Sequence, residues 1–161
     1  MTVWNGIITP IDGKTVSEQL VKLNRVTYID HMFTAEYDGE VNRLYTPVTI
    51  RECGSSTNVM IDKAIWDTGA NASCIAEEIA KRENMHPVET GIIATLAGQV
   101  EVAYYIVDIK LSEDIVIEHV KVAGVPMKKR EDKFVIGMDV IARGNFSVKN
   151  SNGNTTVAFE V

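Results

Sequence analysis

The chain has 161 residues and a net charge of −6, with 45% apolar and 24% charged residues. That length and balance suit one soluble domain with a real core. The acidic surplus speaks against a nucleic-acid partner, which would want a basic face, and no apolar run approaches the roughly 20 residues needed to span a bilayer.

In chain order, residues 1–44 differ from the rest and are expected to be an N-terminal extension of unknown role packed outside the main domain. Their start, Met1-Thr2-Val3-Trp4-Asn5-Gly6, lacks the basic and apolar regions of a signal peptide, so a cytoplasmic protein is expected. Thr15-Val16-Ser17-Glu18 has the capping-box form, and Val16, Leu20 and Leu23 repeat at helical spacing, which predicts a helix over about 16–25. Asp38-Gly39-Glu40 marks a turn before the main domain, 45–161.

From Tyr45 the pattern becomes β. Tyr45–Arg51 and Asn58–Trp66 read as strands joined at Gly54-Ser55-Ser56. Ser73 is placed to cap a helix carrying Ile75, Ala76, Ile79 and Ala80, with Cys74 buried at its start, and Pro87 closes that segment. Strands follow at about 90–96, 99–111 and 115–123. The mixed-sign run Lys128-Lys129-Arg130-Glu131-Asp132 reads as a solvated loop. A strand at 133–136, a short helix at Met138–Arg143 and a hairpin around Asn152-Gly153 complete the chain. An all-β closed barrel with two short helices is the economical fold.

Little in the composition supports metal or cofactor chemistry. Cys53 and Cys74 form neither a disulfide framework nor a zinc spacing. His31, His86 and His119 are scattered, and there is no phosphate loop. No cofactor and no metal are expected.

One motif stands apart. Ala64-Ile65-Trp66-Asp67-Thr68-Gly69-Ala70 puts a carboxylate on a tight turn directly after an apolar strand. Gly69 lets the turn take angles closed to other residues and lets another backbone come close, while Thr68 offers a short, stiff hydroxyl. A carboxylate on a rigid strand end suits acid–base work on a bound substrate. One carboxylate can hold a water but cannot also protonate the reacting carbonyl. Asp-Thr-Gly occurs once, so a second such group would have to come from another copy of the chain.

Asp67-Thr68-Gly69-Ala70, followed some 70 residues later by Phe134-Val135-Ile136-Gly137-Met138-Asp139, resembles the retropepsin-like (retroviral-type) aspartic proteases, in a bacterial-type single-domain form. Ile92–Val102 is similar to the family's flap hairpin, with Gly98 near its tip. The resemblance spans about residues 45–161. It implies a closed acid-protease barrel with a flap, and a homodimer in which two Asp67 carboxylates activate one water for peptide hydrolysis. Thr68, Gly69 and Ala70 would support the catalytic loop, with Thr68 bonding across the dimer. Leu96, Ala97 and Gly98 would fold over an extended peptide, and Ile136 and Gly137 would form the strand that threads beside the Asp loop. The terminal hairpin Phe146–Val161 would supply interface strands. Asp139 tempts as a second carboxylate, but its place just inside a short helix favours a structural hydrogen-bonding role. Trp66 departs from the small aliphatic residues common before the family's Asp and reads as core packing. The alternative is a catalytically weak dimeric peptide-binding or scaffold module with the same fold.

Overall fold

The computed structural model describes residues 23–29, 31–95 and 98–161. Eleven strands and two short helices are described: β1 (Leu23–Ile29), β2 (Met32–Tyr37), β3 (Tyr45–Glu52), β4 (Asn58–Trp66), β5 (Cys74–Ala76), α1 (Glu77–Arg82), β6 (Glu89–Thr95), β7 (Gly98–Lys110), β8 (Val116–Val125), β9 (Phe134–Ile136), α2 (Met138–Ile141), β10 (Asn145–Ser151) and β11 (Asn154–Glu160). No described helix is long and apolar enough to cross a membrane.

The larger sheet runs β3-β4-β9-β5-β8-β7-β6, and β3 also pairs with β7. That extra pairing closes six strands into a barrel and leaves β6 outside it, joined only to β7 as a hairpin. The fold expected from the sequence, an all-β closed barrel with two short helices and a flap hairpin, is the one observed. Alternating burial along β4, with Val59, Ile61, Ala64 and Trp66 inside, is what a strand with one covered face requires. The phase slips between Ile61 and Ala64, beside the register shift at Thr46/Val48 in β3. A second bulge lies between Val107 and Ile109 in β7, and such irregularities help a sheet curl into a barrel.

The described part of the first 44 residues supplies β1 and β2 to a second sheet, of order β1-β2-β11-β10, whose other half is the terminal hairpin. Met32–Tyr37 alternates strictly, and Phe33, Ala35 and Tyr37 are buried in the common core. Gly39 N–H donates to Asn154 Oδ1 at 2.8 Å, and Val41 N–H donates to the Thr155 hydroxyl at 3.1 Å, so the turn after β2 is tied to the terminal hairpin. Most of the helix expected over 16–25 lies outside the described residues. Its last residues, Leu23, Asn24 and Arg25, are strand, because their backbone pairs with β2.

Trp66 joins the two sheets. Its ring stacks on Phe146 at 5.0 Å and on Phe33 at 6.0 Å, and meets Phe159 at 5.3 Å. Its indole N–H donates to the buried Thr46 hydroxyl at 2.8 Å, as a buried indole needs. A side chain of this size removes on the order of 200 Å² from water, so the residue just before the Asp turn is held from three sides.

Candidate active site

Asp67 begins where β4 ends. Beside it runs β9, parallel and in register, with Trp66 opposite Ile136. The Asp67 N–H donates to the Ile136 carbonyl at 2.9 Å, which carries the ladder one residue past the strand. The chain then turns: Ala70 N–H reaches back to the Asp67 carbonyl at 3.2 Å, and Gly69 N–H donates to Asp67 Oδ1 at 2.9 Å. Asp67 is half-buried, and Thr68 and Gly69 are exposed. Among the described residues no protein donor meets Asp67 Oδ2 or the Thr68 hydroxyl. One carboxylate oxygen is therefore fixed and the other is open.

At Gly69 the constraint is tight space beside the carboxylate and not the backbone angles. Gly69 is absent from the glycines with positive φ, while a Cβ at this position would stand 3.2 Å from Asp67 Oδ1. The freedom to take angles closed to other residues, expected of Gly69, is not used, since its φ is not positive. Gly137 is more confined. A Cβ there would lie 2.7 Å and 2.8 Å from the Ala72 carbonyl carbon and oxygen, and 3.0 Å from the Ala70 oxygen. Met138 N–H donates to that same Ala70 oxygen at 2.8 Å. The Ile136-Gly137 segment and the 67–73 loop therefore lie backbone against backbone, which only glycine permits.

Beneath the loop sits a polar strap. The Ser73 hydroxyl, fully buried, donates to Asp139 Oδ1 at 2.7 Å and accepts from Gly137 N–H at 3.0 Å. Ser73 N–H donates to Asp139 Oδ2 at 3.0 Å, and Val140 N–H to Asp139 Oδ1 at 3.0 Å. Asp139 thus takes both ends of Ser73 and the start of α2, and it is engaged in holding the loop. Ser73 caps no helix. Cys74–Ala76 first pair with β8 and β9, and α1 starts at Glu77 without a side-chain cap. A charged carboxylate is the stronger partner for the hydroxyl. The Cys74 thiol, in β5 and not at a helix start, is pushed up by burial and then by the Asp139 charge, which leaves it neutral and a poor nucleophile.

The flap is placed only in part. Gly98 begins β7 with φ +119° and open space around it, and the Thr95 hydroxyl donates to its carbonyl at 2.8 Å. Leu96 and Ala97, expected to fold over a substrate, lie outside the described residues. No residue of β6 is buried, and Ile92 is 67% exposed.

A second strongly engaged acid lies elsewhere. Asp108, at the β7 bulge, is buried, which alone would raise its carboxyl. The Arg51 guanidinium at 2.8 Å, the His119 N–H and the Cys53 thiol more than offset this and hold it below the usual range. It staples β7 to β3 and β8 and makes no open site.

Sequence reasoning missed Ser73 as the link between the Asp loop and α2, and Thr46 as the partner of Trp66. A serine six residues after the Asp, and a buried indole that must find an acceptor, were the available signals. No curated protein matches the chain. Among solved structures, the protease of simian foamy virus (mac) is similar at 23% identity and a TM-score of 0.40, over 60% of this chain and 92% of that one. A retropepsin-like aspartic protease from Rickettsia conorii is similar at 14% identity and a TM-score of 0.49, over 84% of this chain and all of that one. The family described as "gag-polyprotein putative aspartyl protease" matches residues 57–143, more than half of the chain and all of the Asp67, Ser73, Gly137 and Asp139 constellation, and the chain belongs to that family.

Proposed function

We propose that two copies of this chain form an aspartic endopeptidase, with the two Asp67 carboxylates facing one water across a two-fold axis. The observation that carries the reading is the state of Asp67. It is clamped through Oδ1 by Gly69 N–H and open at Oδ2, on a turn anchored to Ile136.

Two carboxylates that close cannot both ionise cheaply, so they share a proton and titrate as a coupled pair. The ionised member takes a proton from the water as its oxygen attacks the peptide carbonyl carbon. The protonated member donates to the carbonyl oxygen, giving a tetrahedral diol. As the diol collapses, the carboxyl that took the water's proton gives it to the amine nitrogen, the C–N bond breaks, and a diol hydroxyl returns its proton to the other carboxylate, which restores the shared proton. No covalent intermediate forms. Thr68 would bond across the dimer, Gly69 and Ala70 would leave room for the partner turn, and Ile136 and Gly137 would form the floor. An extended peptide would lie under Leu96, Ala97 and Gly98, adding main-chain hydrogen bonds as an extra strand. A cytoplasmic setting fits the free thiols of Cys53 and Cys74.

Asp67→Asn tests this. The change is nearly isosteric and removes the titrating group. Cleavage of an unfolded protein at mildly acidic pH is expected to fall by about 10³-fold or more, while dimer stability at neutral pH stays equal or rises, since like-charge repulsion is relieved. Unchanged cleavage would make Asp67 structural. A wild type that binds extended peptides and cleaves none would instead be the scaffold module.

A further inference from the structure

An open cavity of about 490 Å³ lies close to Asp67, with Ile65 in its lining. Ile65 precedes Asp67 by two residues, and the ladder of β4 continues through the Asp67 N–H. Both side chains therefore leave the chain on the face opposite the buried Trp66, about 7 Å apart along the strand. Tyr45 of β3 is paired with Ile65 and shares that face. Arg43 and Tyr45 form one wall, and the loop 129–132, which leads into β9, forms the other. The mixed-sign run expected as a solvated loop is exposed from Lys128 to Glu131, but Asp132 is buried.

The charges in this cavity do not cancel. Asp132 is taken by Arg130, and Glu131 by Lys63 at 3.0 Å. Arg43 Nη1 donates to the Tyr45 hydroxyl at 3.2 Å, a neutral partner. Among the described residues, neither Arg43 nor Lys129 has a carboxylate within ion-pair distance. Two exposed cations are thus left over around one cavity, in a chain whose net charge is −6.

We propose that this cavity selects an acidic side chain, Asp or Glu, near the bond that is cut, with Arg43 as its main partner and Lys129 as its second. The proposal rests on the reading of Asp67 as the peptidase group and names a substrate class for it. Side chains of an extended peptide alternate between faces, so one residue beside the cut bond can reach toward Ile65 while its backbone stays at Asp67. Tyr45 holds Arg43 at one end of its guanidinium and leaves Nε and Nη2 free. A planar fork of donors fits a carboxylate edge-on, which a point charge does not. Ile65 gives the methylenes of the incoming side chain an apolar surface. A basic side chain in the same place would meet Arg43 and Lys129 as like charges.

Peptides that differ only in Glu, Gln or Lys, placed in turn at each position flanking the cut bond, test it through kcat/KM. At one position Glu is expected to exceed Gln about fivefold, and Lys to fall below Gln. Gln matches Glu in shape, so the difference reads charge. Arg43→Glu should reverse the order and put Lys above Gln. Cleavage with no preference for Glu at any position overturns the proposal and leaves the peptidase reading standing. An Arg43→Glu variant that slows all three peptides alike also overturns it, since Arg43 would then serve folding or contact between copies. Should Arg43→Glu fail to fold, Lys129→Glu, on the exposed loop, is expected to shrink the Glu preference, and an unchanged preference overturns the proposal. If wild type cuts none of the peptides, fluorescence anisotropy of labelled copies decides. Glu-selective binding that Arg43→Glu or Lys129→Glu removes keeps the cavity's role and sinks the peptidase reading. Unselective binding, or none, sinks both.

Discussion

The Asp67 floor and the flap hairpin are built to opposite standards. Around Asp67, backbone lies on backbone at Gly137, the buried Ser73 hydroxyl bridges Gly137 and Asp139, and Trp66 is wedged among three rings. In the flap, β6 pairs only with β7 and buries none of its residues. Dense packing and buried hydrogen bonds make a region open only with the whole molecule, while sparse contact lets it open locally at little cost. Under the proposed function, the contrast would set a fixed chemical group beneath a cover that moves as substrate enters.

Substitutions can break that contrast at either end. The largest effect is expected at Gly137→Ala, where the new methyl meets the Ala72 carbonyl. Overpacking against backbone should cost about 3 kcal/mol, read by denaturant unfolding, and should lower kcat with it. A loss below about 1 kcal/mol would mean the floor yields easily. Next comes Ser73→Ala, which strips Gly137 N–H and Asp139 Oδ1 of their buried partner, for about 2 kcal/mol. If the strap positions the loop, kcat should fall while KM holds, and Ser73→Thr should restore part of it. A pure stability loss with normal kcat would confine Ser73 to folding. The smallest effect is expected at Gly98→Ala. Space is open there, but φ +119° strains any residue with a Cβ by about 1 kcal/mol. The hairpin should absorb this locally, so the melting temperature barely moves and KM changes more than kcat. A melting shift as large as that of Gly137→Ala would erase the distinction between floor and flap.

Most of the barrel was legible in the sequence because its strands carry period-2 burial between strong turn signals. Asn58–Trp66 and the hairpin at Asn152-Gly153 match the observed elements closely. The second sheet was not legible as a sheet. Met-Phe-Thr-Ala-Glu-Tyr alternates cleanly over 32–37, but its partner is β11, and pairing over such a separation leaves no local mark. The capping-box form at Thr15 drew the reading toward helix instead. The strand Cys74–Ala76 is three residues long, too short for periodicity to separate from the helix that follows. At the site, the Asp67 turn and the Gly137 strand announced themselves by motif. The reason Gly137 is glycine lies in the Ala70 and Ala72 backbone, which only coordinates reveal. Trp66 was read correctly as core, although its three aromatic neighbours come from three distant strands.

The bond from Val41 N–H to the Thr155 hydroxyl joins residues 114 positions apart, and that separation leads to an expected order of events in folding. Closing so long a loop costs only about 0.6 kcal/mol more than closing one half its length, but contacts of high separation form slowly and late. The barrel strands can meet first, and the sheet that packs Trp66 arrives afterwards. On that order the Asp67 turn would be completed near the end of folding, and a partly folded chain would carry the carboxylate without its setting. Kinetically, Phe159→Leu should speed unfolding and leave the refolding rate nearly unchanged. Refolding slowed in proportion to the lost stability would instead place the second sheet in the folding nucleus.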